Sequence, residues 1–236
     1  MIPGGSAGCA VVTGAGRGIG RAASLALGRR GMAVALLART RAELEETARA
    51  LSDLGAPGAR ARVVPCDVTD ARSVEAACRE VIESLGAPRV VVNNAGVIRR
   101  ARLHETSEAA WDAIVGTNLK GTFLVTRALL PAMLAKGHGR VVNVASISAT
   151  VGTPGQTAYN AAKWGVLGFT KSLAEELRGT GLQALAVLPG AVDTAMLAGS
   201  GFAPQMTPEA VASTLVYAAL DAPDAMNGSA IEIFGA

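Results

Sequence analysis

The chain has 236 residues, half of them hydrophobic and 17% charged, with a formal net charge of +3. That balance excludes a disordered chain, and no segment approaches the roughly 18 uninterrupted apolar residues of a membrane span. Arginines are scattered rather than gathered into a basic stripe with interleaved aromatics, so no nucleic-acid partner is expected.

Cys9, Cys66 and Cys78 form no Cys-x-x-Cys pair, and His104 and His138 are the only histidines, so no metal centre is expected. Buried free thiols in a reducing cytoplasm are the simplest reading. Residues 1–10 lack a basic region followed by a long apolar run, which also reads as a cytoplasmic protein.

Short apolar, β-branched runs alternate with longer helical stretches. Predicted strands cover 9–13, 33–38, 63–66, 90–92, 141–144, 185–188 and 230–234. A helix of suitable length fills 19–30. The next helix begins with a potential capping box, Thr40 with Glu43, and places Leu44, Ala48, Leu51 and Leu54 at helical spacing. Gly55-Ala56-Pro57-Gly58 stops it. Strands without polar alternation, separated by helices, imply a sheet covered on both faces. The expected architecture is α/β: one Rossmann domain over 1–236, with a doubly wound, mostly parallel seven-stranded sheet.

Thr13-Gly14-Ala15-Gly16-Arg17-Gly18-Ile19-Gly20 follows the first strand and opens the first helix. Glycines there allow a tight turn and a close approach of backbone N–H groups to a pyrophosphate, which the helix N-terminus also favours. The spacing is T-G-x-x-x-G-x-G rather than G-x-G-x-x-G, since Ile19 stands where the third glycine would be. An NAD-binding strand two normally ends in an acid for the ribose 2′-OH. That position is Ala38, 24 residues after Gly14, and Arg39 follows it. No acid there repels a 2′-phosphate, and Arg39 with Arg17 offers planar guanidinium partners for one. The reading is NADP(H), against the plainer one of two solvated surface arginines.

Tyr159 and Lys163 are four residues apart, on one face of a predicted helix. A nearby ammonium lowers a phenol pKa, which suits Tyr159 to give a proton to the alkoxide that hydride transfer creates. Ser146, thirteen residues before Tyr159, follows the fifth strand and could hydrogen-bond the same oxygen, in competition with Ser148. Asn118 begins a helical run. Singly, each residue has a commoner use, as a turn, a cap or a solvated side chain. Together behind the glycine turn, they point to one site.

In order and spacing these motifs resemble the short-chain dehydrogenase/reductase family over 9–234. The resemblance implies that Asn118, Ser146, Tyr159 and Lys163 form a catalytic tetrad, Asn118 holding a water in a proton relay. It implies cofactor contacts from Gly14, Gly16, Arg17, Gly18, Ile19, Gly20, Arg39, Asp67 at the adenine, Val68, and Asn94, Ala95 and Gly96 of the Asn-Asn-Ala-Gly turn. Tyr159 and Lys163 also face the cofactor. Pro189, Gly190, Val192 and Thr194 match the segment that holds the nicotinamide carboxamide, and 191–206 matches a short substrate lid.

The pattern is most similar to the 3-oxoacyl-[acyl-carrier-protein] reductases, especially at 165–173, which implies a carbonyl or secondary alcohol substrate. In those reductases basic residues that dock the carrier protein stand where this chain has Gly137 and Thr180, with Lys136 and Arg178 as neighbours. A general ketone reductase, an alcohol or sugar dehydrogenase, or a nucleotide-sensing protein without catalysis are the alternatives, with a methyltransferase further off. A homotetramer is also implied, and Ala161, Ala162, Gly165, Val166 and Phe169 supply small apolar helix surface for it.

Overall fold

The computed structural model describes residues 8–235. Seven strands form one sheet in the order β3-β2-β1-β4-β5-β6-β7, and every pairing is parallel. The strands are β1 (Cys9–Thr13), β2 (Ala33–Ala38), β3 (Arg60–Pro65), β4 (Val90–Asn93), β5 (Gly139–Val144), β6 (Leu182–Pro189) and β7 (Ala230–Ile233). The expected doubly wound Rossmann sheet is present, and it is wholly rather than mostly parallel.

Helices α1 (Gly18–Arg29), α2 (Arg41–Ser52), α3 (Ala71–Leu85), α4 (Glu108–Val115), α5 (Gly121–Lys136), α6 (Thr157–Glu176) and α7 (Pro208–Val216) connect the strands. Alternate residues of β1 separate the two cores, as the two-residue period of a strand requires. Ala10 and Val12 pack with Leu27, Leu36, Leu44 and Leu215 under α1, α2 and α7. Val11 packs with Leu37, Val81, Leu129 and Leu173 under α3, α5 and α6. Such parallel strands must be apolar on both faces, which explains why the sequence shows them as continuous hydrophobic runs.

Differences from the sequence reading have local causes. The edge strand β3 starts at Arg60, three residues before the apolar run, because its outer half alternates Arg60 and Arg62 toward solvent. Strand β6 begins at Leu182, and Gln183 accepts a 2.6 Å bond from Arg140 of β5. Thr40 is the N-cap of α2, yet its side chain caps nothing. The capping box is absent because Glu43 turns toward the glycine turn. On α6, Ala162 and Val166 are buried toward the core. Ala161 is exposed and Gly165 and Phe169 are half-buried, and the large exposed apolar side chains of this region are Trp111, Phe123 and Trp164.

Strand order reverses between β1 and β4, whose following connections leave on opposite sides of the sheet. The crevice at their carboxyl ends is where open α/β sheets bind ligands.

Candidate active site

The glycine turn leaves β1 at this crevice. Gly14 has φ +65°, a conformation that disfavours side chains. A Cβ on Gly20 would collide with the Gly14 carbonyl oxygen and lie 2.5 Å from Asn94 Nδ2. The first turn of α1 therefore lies directly on the loop, with its unpaired N–H groups facing the crevice. Thr13 ties the next strand to it: its Oγ1 accepts from the backbone N–H of Asn94 (2.9 Å) and Ala95 (3.0 Å). Asn94 Nδ2 donates to the Thr13 carbonyl at 3.0 Å.

A cavity of about 810 Å³ opens over these loops. Gly14, Gly16, Arg17, Gly18, Ile19, Arg39, Asp67, Val68, Asn94, Ala95, Gly96 and Thr194 line it. Gly20 lies beneath the turn. Pro189 ends β6, Gly190 follows and donates its N–H to the Ile233 carbonyl, and Val192 is buried in a bridge to Met206. Asp67 Oδ1 accepts from Thr69 N–H (2.9 Å) and Thr69 Oγ1 (2.7 Å). The Thr69 backbone bond leads in holding this carboxyl below its usual range, with smaller help from the Thr69 hydroxyl and Arg39.

The sequence reading missed Glu43. This side chain lines the same cavity beside Arg39 and pairs with Arg17, Nη1 to Oε1 being 3.9 Å. A Cβ on Gly16 would stand 2.7 Å from Glu43 Cβ. Thr47 fixes this packing by donating from Oγ1 to the Ala15 carbonyl at 3.1 Å. A carboxylate thus sits among the arginines after all, supplied by α2 rather than by the end of β2.

The four candidate catalytic side chains lie together, one layer behind this wall. Tyr159 is buried on α6 with Ile114, Ala158 and Ala162, against Val97 and Ile98, which line the cavity. Lys163 is 4% exposed, donates from Nζ to the Val144 carbonyl at 2.8 Å, and stands 5.6 Å from the Tyr159 ring centroid. Ser146 follows β5, and its Oγ accepts from Ser148 N–H at 3.1 Å. That leaves the hydroxyl proton for another partner. Ser148 supplies its backbone rather than its hydroxyl.

Asn118 does not begin a helix. It lies in a π turn, Gly116–Lys120, between α4 and α5. Such single turns inside helices recur at functional sites because they push one residue out of register. Asn118 Nδ2 donates to the carbonyls of Val97 and Ile114, each at 2.8 Å. Its buried Oδ1 has no protein partner. A buried acceptor left open is costly and calls for water or ligand.

The electrostatics differ from the simple expectation of a phenol lowered by lysine. Burial pushes Tyr159 up to about 12, against lesser lowering by a hydrogen bond with Ser146 and by Arg100. Burial also brings Lys163 down to about 8. Desolvation dominates both shifts, favouring the neutral phenol and loosening the ammonium's hold on its proton.

A parallel sheet with a phosphate-sized glycine turn at its switch point, and a buried tyrosine–lysine pair beside it, defines an oxidoreductase of the Rossmann class. The comparisons narrow this. A sequence profile described as short chain dehydrogenase matches residues 8–202. The chain belongs to the short-chain dehydrogenase family. It is 36% identical over 211 residues to an uncharacterized oxidoreductase of Staphylococcus haemolyticus, covering 89% of each chain. It is 39% identical over 188 residues to the 3-oxoacyl-[acyl-carrier-protein] reductase of Escherichia coli, covering 79% of this chain and 74% of that one. A crystal structure from Sinorhizobium meliloti assigned to the short-chain alcohol dehydrogenases superposes with a TM-score of 0.87 at 33% identity, covering 96% and 94% of the two chains.

Proposed function

We propose that this chain is an NADP(H)-dependent reductase of ketones, reversible toward secondary alcohols, with a short 3-oxoacyl thioester as its first candidate substrate. The observation that carries this reading is the buried Tyr159, with Lys163 Nζ 5.6 Å from its ring centroid, packed behind Val97 and Ile98 of the glycine-turn cavity.

The nicotinamide dinucleotide fits the residues present. Gly14, Gly16, Gly18 and Ile19 would take the pyrophosphate, Asp67 and Val68 the adenine side, and Asn94, Ala95 and Gly96 the ribose side. Pro189, Gly190, Val192 and Thr194 would flank the nicotinamide. When bound, the nicotinamide supplies or accepts the hydride. Tyr159 gives its phenolic proton to the substrate oxygen as negative charge develops there, and the spare proton of Ser146 hydrogen-bonds the same oxygen. Lys163, anchored on Val144, places positive charge under the phenolate that results. Asn118 Oδ1 holds the water through which that phenolate regains a proton. In the oxidative direction Tyr159 must first lose its proton, and the positive charge of the oxidised nicotinamide favours that loss.

NADP(H) is preferred on the strength of Ala38, Arg39 and Arg17. Replacing Ala38→Asp together with Arg39→Ala restores an acid and removes a guanidinium. The NADPH/NADH ratio of kcat/KM should then fall by roughly 100-fold or more, as expected for loss of charge-assisted bonds. An unchanged ratio refutes the cofactor assignment.

The thioester is favoured by the reductases to which the chain is similar. Docking of acyl carrier protein is less well supported, because Arg178 is engaged with Glu175 at 2.6 and 2.9 Å, which leaves Lys136 as the neighbouring charge. A cytoplasmic homotetramer is part of this reading, and the exposed Trp111, Phe123 and Trp164 offer apolar surface for subunit contacts. Among the described residues no helix is long and apolar enough to cross a membrane. One domain, with 191–206 as its substrate lid, completes the reading.

A further inference from the structure

Charged side chains on the cavity wall form two groups. Arg17, Arg39, Glu43 and Asp67 gather at the carboxyl ends of β1, β2 and β3. Arg100 and Asp193 stand on the stretches of wall formed by 94–100 and 193–198, the first of which also carries Val97 and Ile98 in front of Tyr159.

Arg100 bridges these two stretches. Its Nη2 donates to the Met196 carbonyl at 3.1 Å, and Nη1 reaches the Ala198 carbonyl at 3.4 Å. Both partners are main-chain oxygens, which orient the guanidinium without cancelling its charge. Among the described residues no carboxylate, Asp193 included, lies within 4.0 Å of a guanidinium nitrogen of Arg100. A guanidinium has five N–H donors, so three remain after the two lid bonds. Its charge is felt at the Tyr159 phenol, after the larger effects of burial and Ser146. An exposed guanidinium on the cavity wall, tethered by two main-chain carbonyls and keeping three unused donors, can pair with a carboxylate.

We propose that Arg100 is an anion receptor of the substrate pocket, and that the preferred substrates are oxo acids, or the matching hydroxy acids, whose carboxylate pairs with it while the carbonyl meets Tyr159. This deepens the ketone-reductase reading and rests on it, and it places a free acid ahead of the thioester, which has no carboxylate for Arg100. The plainer role, a strut that only holds the lid, predicts equal effects on charged and neutral substrates.

The test compares 3-oxobutanoate and 4-oxopentanoate, each with its methyl ester, by NADPH oxidation in wild type, Arg100→Gln and Arg100→Lys. The wild type should favour an acid over its ester. Arg100→Gln should lower kcat/KM for that acid roughly 10- to 100-fold more than for its ester, and Arg100→Lys should recover part of the difference. Equal use of acid and ester by the wild type, or equal losses in the variant, overturns the anion receptor while leaving ketone reduction intact. Silence toward all four compounds counts against ketone reduction instead. The receptor is then read by calorimetric titration of 4-oxopentanoate into NADPH-loaded protein. Weaker binding to Arg100→Gln supports it, and equal or undetectable binding in both proteins overturns it.

Discussion

If a 2′-phosphate binds at Arg17 as proposed, the Glu43 carboxylate paired with that arginine opposes it, and Glu43→Gln should strengthen NADPH binding. The pair is long, at 3.9 Å, and exposed, with 76% of the Arg17 side chain and 37% of the Glu43 side chain open to solvent. Coulomb's law in water gives about 1 kcal/mol for unit charges at this separation, and screening by salt keeps exposed pairs at or below that value. Removing the carboxylate frees Arg17 and also removes a repulsion toward the incoming phosphate. NADPH affinity should therefore rise by up to about fivefold, the factor that 1 kcal/mol represents. NADH lacks the phosphate and should change by less than about twofold on the same estimate. Quenching of protein fluorescence by each nucleotide, at low and at high salt, measures both constants. The gain should shrink at high salt. Unchanged or weaker NADPH binding would refute this placement of the 2′-phosphate, even if the enzyme still reduced ketones.

Three further outcomes follow from the buried pair and the turn. Lys163 is held near 8 in the folded protein, whereas an unfolded lysine titrates near 10.4. Below pH 8 both states carry the charge and the fold bears its burial. Between pH 8 and 10.4 the folded state sheds its proton first, so stability relative to Lys163→Met should rise, by about 3 kcal/mol at most. Urea unfolding of both proteins at pH 7 and 10.5 reads this, and a constant difference would contradict it. In the reductive assay kcat should decline as pH rises past about 8 and Lys163 loses its charge, while a flat profile to pH 10 would remove the lysine's electrostatic role. Gly20→Ala should cut NADPH affinity by roughly 10- to 100-fold, the scale of a lost hydrogen bond to a charged group, by displacing the Gly14 carbonyl, as titration would show; near-normal affinity would mean that the first turn of α1 does not hold the pyrophosphate.

Most of the sheet was legible because central parallel strands must be apolar on both faces, as in Val11-Val12 and Val90-Val91-Val92. Reading failed where that rule relaxes: at the edge strand β3, whose Arg60 and Arg62 break the apolar run, and at the polar start of β6. The glycine turn and the Tyr159–Lys163 spacing were legible because each is local, set by one turn or one helix face. Glu43 and Arg100 were not, because their roles arise from contacts that close through the fold. Glu43 meets Gly16 across 27 positions of chain, and Arg100 meets Met196 across 96. The local capping pattern at Thr40 even pointed Glu43 the wrong way. The same holds for the pKa values. Spacing alone places an ammonium near the phenol, but the direction in which the phenol shifts depends on how deeply both are buried.

On the proposed mechanism, Tyr159 donates the proton in an NADPH-dependent carbonyl reduction. Absorbance at 340 nm, followed with NADPH and a short 3-oxoacyl thioester or a simple ketone, tests it most directly when wild type and Tyr159→Phe are run side by side. The wild type should oxidise NADPH and Tyr159→Phe should not, with NADPH affinity kept within a few fold. Sustained oxidation by Tyr159→Phe would contradict that mechanism.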